Sequence, residues 1–208
     1  MKRRLLQVAF GSLLGIAIAF GASWWMWGGR GTPDAGRASR PTTVGTAQVG
    51  GPFELVDHTG RTVTDRDYAG RILLVFFGYT YCPDICPTEL QTFAEVMDRL
   101  GPQADRVQPL FVTVDPARDT PAHLAQYVEL FHPRIVGLTG TEAQIAQVAR
   151  AYRVYYAKGK GAGTADYLMD HSTAAYLMGP DGVFVTVFRN GTTADAMLAE
   201  IRKLIPAS

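Results

Sequence analysis

The body of the chain alternates between patterns typical of buried strands and patterns typical of amphipathic helices. Residues 72–77 are a continuous apolar run, which is typical of a strand buried on both faces of a sheet. Pro87 then suits the first position of a helix, and apolar residues recur at helical spacing up to Leu100. The same order recurs twice, with strands predicted at 107–114 and 135–138.

Each of these two later strands is followed by a helix-start signal. One helix is entered through Thr120 and Pro121. The other is entered through a capping box formed by Thr141 and Gln144, and both helices continue with apolar residues on one face. Three strand-helix units in a row predict parallel strands with helices packed on the sheet.

The pattern changes after the third helix. Apolar runs at 173–178 and 183–188 flank Gly179-Pro180-Asp181-Gly182, a sequence that predicts a β-hairpin. Apolar residues at helical spacing from Met197 to Leu204 predict a closing helix. The whole order predicts an α/β domain with a mixed sheet flanked by helices. In such folds the functional residues lie at the carboxyl ends of the parallel strands.

The N-terminal segment is a long apolar run behind a short basic tail. Residues 5–27 contain no charged residue. As a helix they would extend about 34 Å, enough to cross a hydrocarbon core of roughly 30 Å. A cleaved signal peptide is the alternative, but the run ends in Trp24-Trp25-Met26-Trp27 instead of a small-residue cleavage site. We therefore expect a transmembrane anchor at 5–27, a cytoplasmic tail at 1–4 and an exported body.

Composition and charge support this division of the chain. Residues 28–50 are rich in Gly, Thr, Ala and Arg without a hydrophobic period, which predicts a flexible linker ahead of a folded domain at 51–208. The first 50 residues hold six of the 20 Lys and Arg but one of the 19 acidic residues, so the remainder is net acidic. Because the body lacks a basic stripe that would neutralise phosphates, nucleic acid is not expected as a partner.

The chain contains two cysteines, Cys82 and Cys86, at the junction between the first buried strand and its helix. Free N–H groups and the dipole at a helix N-terminus stabilise a thiolate, and we expect a lowered thiol pKa at Cys86. The two sulfurs can converge on one metal ion or close a small disulfide ring. A purely structural disulfide is the alternative, although a bridge across so short a loop adds little stability.

Among the four histidines, His171 is the best candidate for a third ligand. It lies directly before the predicted hairpin, on a segment that must pack back against the strand-helix turn carrying the cysteines. His58 and His132 lie in turn-like sequences, and His123 lies in the first turn of a helix, so we expect these three at the surface.

Asp115 and Asp119 follow the second buried strand, at the sheet edge where the cysteines are predicted. Asp before Pro and Thr before Pro are common at turns and helix starts, which gives the simpler interpretation of both carboxylates. The alternative is that they orient the metal ligands or contact a partner.

Several motifs, in this order, resemble those of the SCO/SenC family: YTYCPDICPTEL, VTVDPARDTP, LTGT followed by ARAYRVYY, and DHS before a hairpin. The resemblance covers nearly all of residues 51–208. It implies a membrane-anchored protein with a thioredoxin-like fold that supplies copper to the copper A centre of cytochrome c oxidase subunit II. By this resemblance Cys82 and Cys86 match the paired copper thiolates, and His171 matches the third ligand.

The donor set agrees with copper on chemical grounds. Two soft thiolates and one imidazole suit both Cu(I) and Cu(II), so the oxidation state stays open. A structural zinc site would normally have a fourth protein ligand. The primary prediction is a copper metallochaperone, with oxidase subunit II and an upstream copper donor protein as partners. The alternative is a thiol-disulfide reductase that uses a Cys82–Cys86 redox pair to keep the oxidase cysteines reduced.

The predicted location follows from the anchor and the resemblance. A single-pass protein of this kind belongs in a bacterial-type inner membrane with its body in the periplasm, or in the equivalent inner membrane facing the intermembrane space.

Overall fold

The computed structural model describes residues 48–159 and 167–205. The predicted tail (1–4), the predicted anchor (5–27) and the linker up to residue 47 lie outside these ranges. Within the ranges described, no helix is both long and apolar enough to cross a membrane. Val49 and Gly50, which composition assigns to the linker, contact the folded body: Val49 packs on the core, and the Gly50 N–H donates to the Ala151 carbonyl at 2.9 Å.

The described residues form nine strands and four α-helices. In chain order these are β1 (Glu54–Asp57), β2 (Thr62–Thr64), β3 (Ile72–Gly78), α1 (Ile85–Leu100), β4 (Val107–Thr113), α2 (Pro121–Glu129), β5 (Val136–Thr139), α3 (Glu142–Ala151), β6 (Tyr156–Lys158), β7 (Met169–His171), β8 (Ala175–Met178), β9 (Phe184–Phe188) and α4 (Ala194–Leu204). Short 3₁₀ helices lie at Asp65–Tyr68 and Gly101–Arg106.

Seven of the strands form one mixed sheet in the order β2-β1-β5-β4-β3-β8-β9. The three central strands β5, β4 and β3 are parallel, as the repeated strand-helix units predict. β8 and β9 form the predicted hairpin, and β8 pairs antiparallel with β3. The predicted α/β class with a mixed sheet is confirmed.

The topology brings three chain segments to one edge of the sheet. β3 and β4 are parallel, so both end at this edge, and Gly78 pairs with Thr113 there. β8 runs in the opposite direction and starts at the same edge, where Ala175 pairs with Phe76. Residues that follow β3, follow β4 or precede β8 are therefore neighbours in space, although they are far apart in the sequence.

The helices begin at the predicted start signals, except that α1 begins two residues before Pro87. Thr141 and Gln144 form the predicted capping box, with hydrogen bonds of 3.2 Å from the Gln144 N–H and 2.9 Å to the Gln144 side chain. The first helix begins at Ile85, so Pro87 occupies its third position. Proline is tolerated there because the first N–H groups of a helix have no intrahelical partner.

Two pairs of short strands have no counterpart in the sequence pattern. β1 and β2 form an antiparallel hairpin that extends the sheet beyond β5. β6 and β7 pair with each other as a separate two-stranded ribbon, in which Tyr156 lies opposite His171. Strands of three or four residues are too short to show a reliable period of two.

One carboxyl group is buried on the core side of α1. Glu89 is 2% exposed, and its Oε1 atom has no hydrogen-bond partner within the described residues. Burial raises the pKa of Glu89 from 4.5 to about 7, because an ionised carboxylate loses its hydration in the interior. The folded chain therefore holds a proton on Glu89 at pH values where the unfolded chain has released it.

This difference predicts a loss of stability as the pH rises. The contribution of protonated Glu89 is complete below about pH 4.5 and is lost as the pH rises through about 7, with a total of up to about 3 kcal/mol. Glu89→Gln, which stays neutral, should have a weaker pH dependence of the free energy of unfolding in urea between pH 4 and pH 8. Glu95→Gln, at an exposed position of the same helix, is the matched control. Parallel pH profiles for wild type and Glu89→Gln would contradict the prediction.

Candidate metal centre

The sheet edge brings the three predicted ligands together. Cys82 follows β3, Cys86 lies in the first turn of α1, and His171 ends β7. Their ligand atoms all lie within 4.8 Å of one another. The Cys86 Sγ and His171 Nε2 atoms are 3.6 Å apart. Among the described residues, this is the one cluster of three or more His, Cys, Asp or Glu side chains with such spacing.

The two thiols differ in environment. Cys86 is fully buried, whereas Cys82 is half-buried, and the structure has both as free thiols. The Cys86 N–H, one of the unpaired donors at the start of α1, points at the Cys82 Sγ atom at 3.5 Å. The helix N-terminus therefore stabilises negative charge on Cys82, the residue just outside the helix.

The thiol pKa values follow this arrangement. A hydrogen bond from the Cys86 thiol is the largest effect on Cys82 and holds its pKa well below the usual range, against the cost of burial. Burial raises the pKa of Cys86, and the neighbouring Cys82 raises it further. The expected lowering at Cys86 is therefore wrong: the pKa is lowered at Cys82 and raised at Cys86.

Gly78, at the end of β3, makes room for the buried thiol. A Cβ atom at this position would lie 2.7 Å from the Cys86 Sγ atom and 2.7 Å from the Phe111 ring. Both distances are far inside van der Waals contact, so a larger residue would displace Cys86. No local sequence pattern indicates this role, because it depends on how closely α1 approaches β3.

The His171 ring is oriented from both sides. Its Nδ1 atom lies 2.9 Å from the Ser172 carbonyl oxygen, which can only accept, so Nδ1 carries the hydrogen. Nε2 therefore presents its lone pair toward the cysteines, as a metal ligand requires. The ring also makes T-shaped contacts with Phe76 and Tyr79, with centroids 6.2 and 5.7 Å away.

The other three histidines have local roles. The Nδ1 atom of His58 accepts from the Gly137 N–H at 3.2 Å, and that of His132 accepts from the Arg134 N–H at 3.1 Å. His123 stacks on the ring of Tyr81, with centroids 5.5 Å apart. All three are half-buried and not at the open surface that the sequence suggested, and none belongs to the ligand cluster.

Asp119 connects the end of β4 to the loop that carries the cysteines. It is fully buried, and it accepts hydrogen bonds from the Thr80 hydroxyl at 2.6 Å, the Thr80 N–H at 3.1 Å and the Thr113 hydroxyl at 2.6 Å. Burial raises the pKa of Asp119, and these hydrogen bonds oppose that rise. These contacts reach within two residues of Cys82, so a role limited to turn geometry does not account for them.

Asp115 is also buried, being 1% exposed. It accepts from the Arg118 Nε–H at 2.5 Å and from the Tyr167 hydroxyl at 2.7 Å. Neither Asp115 nor Asp119 belongs to the ligand cluster, and both contact groups around it. Tyr167 was not expected at the site, because nothing local in the sequence links it to residue 115.

Comparison with known proteins places this site in a family. The SCO1/SenC family model matches residues 41–206. The mitochondrial protein SCO2 homolog of Bos taurus is 42% identical over 211 residues, which cover 100% of this chain and 77% of the relative. The mitochondrial protein SCO1 homolog of Homo sapiens is 44% identical over 169 residues, 78% of this chain and 56% of the relative.

A solved structure supports the same assignment. The structure of Bradyrhizobium japonicum ScoI with copper bound is 44% identical, has a TM-score of 0.71, and corresponds to 76% of this chain and 99% of that one. The two share a mixed α/β fold of the thioredoxin-like type. The match of the family model and the identity to these relatives show that this chain belongs to the SCO1/SenC family.

Proposed function

We propose that this chain is a membrane-anchored copper metallochaperone, which holds one copper ion through Cys82, Cys86 and His171. The acceptor is the copper A centre of cytochrome c oxidase subunit II. The observation that carries the proposal is the approach of two sulfur atoms and one imidazole nitrogen to within 4.8 Å of one another. The copper in the related ScoI structure supports it, because that protein shares 44% of its residues with this chain.

The donor set suits an ion that must be released again. Soft thiolates and an imidazole favour copper over hard cations, and three protein ligands leave a position for a ligand of the acceptor. Cys82 and His171 are half-buried, whereas Cys86 is enclosed. An incoming ligand therefore reaches the ion from the side of Cys82 and His171, and the ion can pass on by stepwise exchange of ligands.

Copper also resolves an electrostatic conflict in the site. Both thiols must be deprotonated to bind the ion, and burial opposes this at Cys86. A bound cation next to the buried sulfur replaces its proton and stabilises the thiolate. The site thus favours one thiolate without metal and two thiolates with it.

The remaining parts of the proposal concern location and partners. Residues 5–27 anchor the chain in an inner membrane, with the body in the periplasm or the equivalent intermembrane space, and an upstream protein donates the copper. The uncharged run behind a basic tail supports the anchor. The relatives are named as mitochondrial proteins, which supports a compartment of this general type.

The unequal thiols favour a second candidate function, a thiol-disulfide reductase for the oxidase cysteines. An accessible thiol of low pKa suits attack on a target disulfide, and a buried neighbour suits resolution of the mixed disulfide. Cys82 would attack, Cys86 would release the target, and the two electrons of the dithiol would reduce the target cysteines while a Cys82–Cys86 disulfide forms.

Replacing either cysteine tests the metal site. The reduced full chain should bind one copper ion. Loss of a supporting group around a metal ligand costs about 10–100-fold in affinity, so Cys82→Ser or Cys86→Ser should cost more than about 100-fold. Competition with a chromophoric Cu(I) chelator measures the change, and His58→Ala is the control. Unchanged affinity in either cysteine variant would refute the site.

His171→Ala separates the two functions. A chaperone needs the imidazole as a ligand, whereas disulfide exchange needs the two thiols alone. The variant should bind copper more weakly and fail to support copper A assembly, while its Cys82–Cys86 disulfide still forms and is still reduced. The control is His132→Ala. Normal copper A assembly with His171→Ala would favour the reductase.

The anchor is tested by fractionation. The full chain should stay in the membrane fraction after a carbonate wash, and protease added from the periplasmic side should digest the body, because an apolar helix of this length spans the bilayer. A mature protein that starts near Gly28 and washes off the membrane would show that residues 5–27 are a cleaved signal peptide.

A further inference from the structure

The two parts of the copper site belong to different sheets. The thiols follow β3 of the main sheet, whereas His171 lies on β7, which pairs with β6 in the separate ribbon. We call residues 79–86, which carry both cysteines, the thiol loop. The distance between the Cys86 Sγ and His171 Nε2 atoms therefore depends on contacts that join the ribbon to the thiol loop.

Arg118 makes such contacts on both sides. Its Cζ atom lies 4.5 Å from the ring centroid of Tyr81, the residue directly before Cys82. It lies 3.7 Å from the ring centroid of Tyr167, which precedes the strand of His171. The planar guanidinium is thus in contact with one aromatic ring from each ligand-bearing segment.

Asp115 fixes this guanidinium to the main sheet. Its carboxylate accepts from the Arg118 Nε–H at 2.5 Å and from the Tyr167 hydroxyl at 2.7 Å. The Asp115 N–H in turn donates to the Thr113 hydroxyl at 2.9 Å, at the end of β4. Because the Arg118 side chain is only 15% exposed, water screens these contacts less than it would on the surface.

We propose that Arg118 is a positioning residue for copper, and that it sets the distance between the thiols and His171. We call Arg118, Asp115, Tyr81 and Tyr167 the Arg118 clasp. The inference rests on the proposed function, because the distance matters only if all three side chains bind one ion. Lysine cannot replace Arg118 in this role, since an ammonium group does not stack between two rings or offer a planar fork to a carboxylate.

The first test measures copper binding in the full chain. Arg118→Gln should weaken Cu(I) affinity about 10–100-fold, the range typical for groups that orient metal ligands. Arg118→Lys should also bind Cu(I) more weakly than the wild type, because the lysine side chain cannot replace the guanidinium. Tyr167→Phe, which keeps the ring, should have a smaller effect than Tyr167→Leu. The control is Arg134→Gln. This change removes the ion pair between Arg134 and Asp105, whose nitrogen and oxygen atoms are 2.6 Å apart. Arg134 lies just before β5, away from the edge of the sheet that carries the ligands.

A double-mutant cycle distinguishes positioning from a general structural effect. If Arg118 acts through His171, adding Arg118→Gln to His171→Ala should change copper affinity by less than about twofold. Arg118→Gln alone should also change the visible and electron paramagnetic resonance spectra of the Cu(II) form, because the imidazole is displaced. An equal loss of affinity in both backgrounds, or a loss below twofold in the wild-type background, would overturn the proposal.

Amide exchange of the reduced, metal-free chain keeps this test separate from the copper assignment. Arg118→Gln should speed exchange in the β6–β7 ribbon at least tenfold more than in β3 and β4, because the clasp holds the ribbon to the sheet. Equal acceleration in ribbon and sheet would overturn the clasp even where copper binds as proposed. If His171→Ala leaves copper affinity unchanged, the proposed function fails, and the exchange data still decide whether the clasp exists. Should Arg118→Gln not fold, Tyr167→Leu gives the same comparison.

Discussion

The antiparallel pairing of β8 with β3 is the constraint on which the site depends. β3 delivers the thiol loop to one edge of the sheet, and β8 must begin at that edge because it runs the other way. The residues before β8 therefore return to the thiols, although Cys86 and His171 are 85 positions apart. A parallel strand in the place of β8 would have begun at the opposite edge and left the histidine far from both sulfurs.

The same edge sets the electrostatics of the thiols. The start of α1 offers its free N–H groups to Cys82, while the packing of α1 on β3 encloses Cys86. The pKa of one sulfur is thereby lowered and that of its neighbour raised, and a bound cation would stabilise the buried sulfur as a thiolate. This single asymmetry suits both metal binding and disulfide exchange, which explains why the two functions are hard to separate by inspection of the cysteines alone.

Buried carboxylates around the site act on its geometry. Asp119 joins β4 to the thiol loop through Thr80, and Asp115 joins β4 to Arg118 and Tyr167. Each carboxylate is satisfied by hydrogen bonds, as burial demands. Together they tie the loop that carries the cysteines, and Tyr167 ahead of β7, to the end of β4. Glu89 differs, because its burial lacks such compensation and is met by retention of its proton.

The sequence by itself determined the features whose signals are local. The apolar run of β3, the helix periods, the capping box of α3 and the residues of the hairpin each appear within a few positions of the chain. Cys82, Cys86 and His171 could be selected because the first two lie at a strand-helix junction, the third precedes the hairpin, and the motifs around them resemble those of the SCO/SenC family. Only the tertiary structure decided their separation, the order of the thiol pKa values, the burial of Glu89 and the contacts of Arg118. These depend on how closely distant segments pack and on which groups lose their water, and neither quantity is recorded in the spacing of residues along one segment.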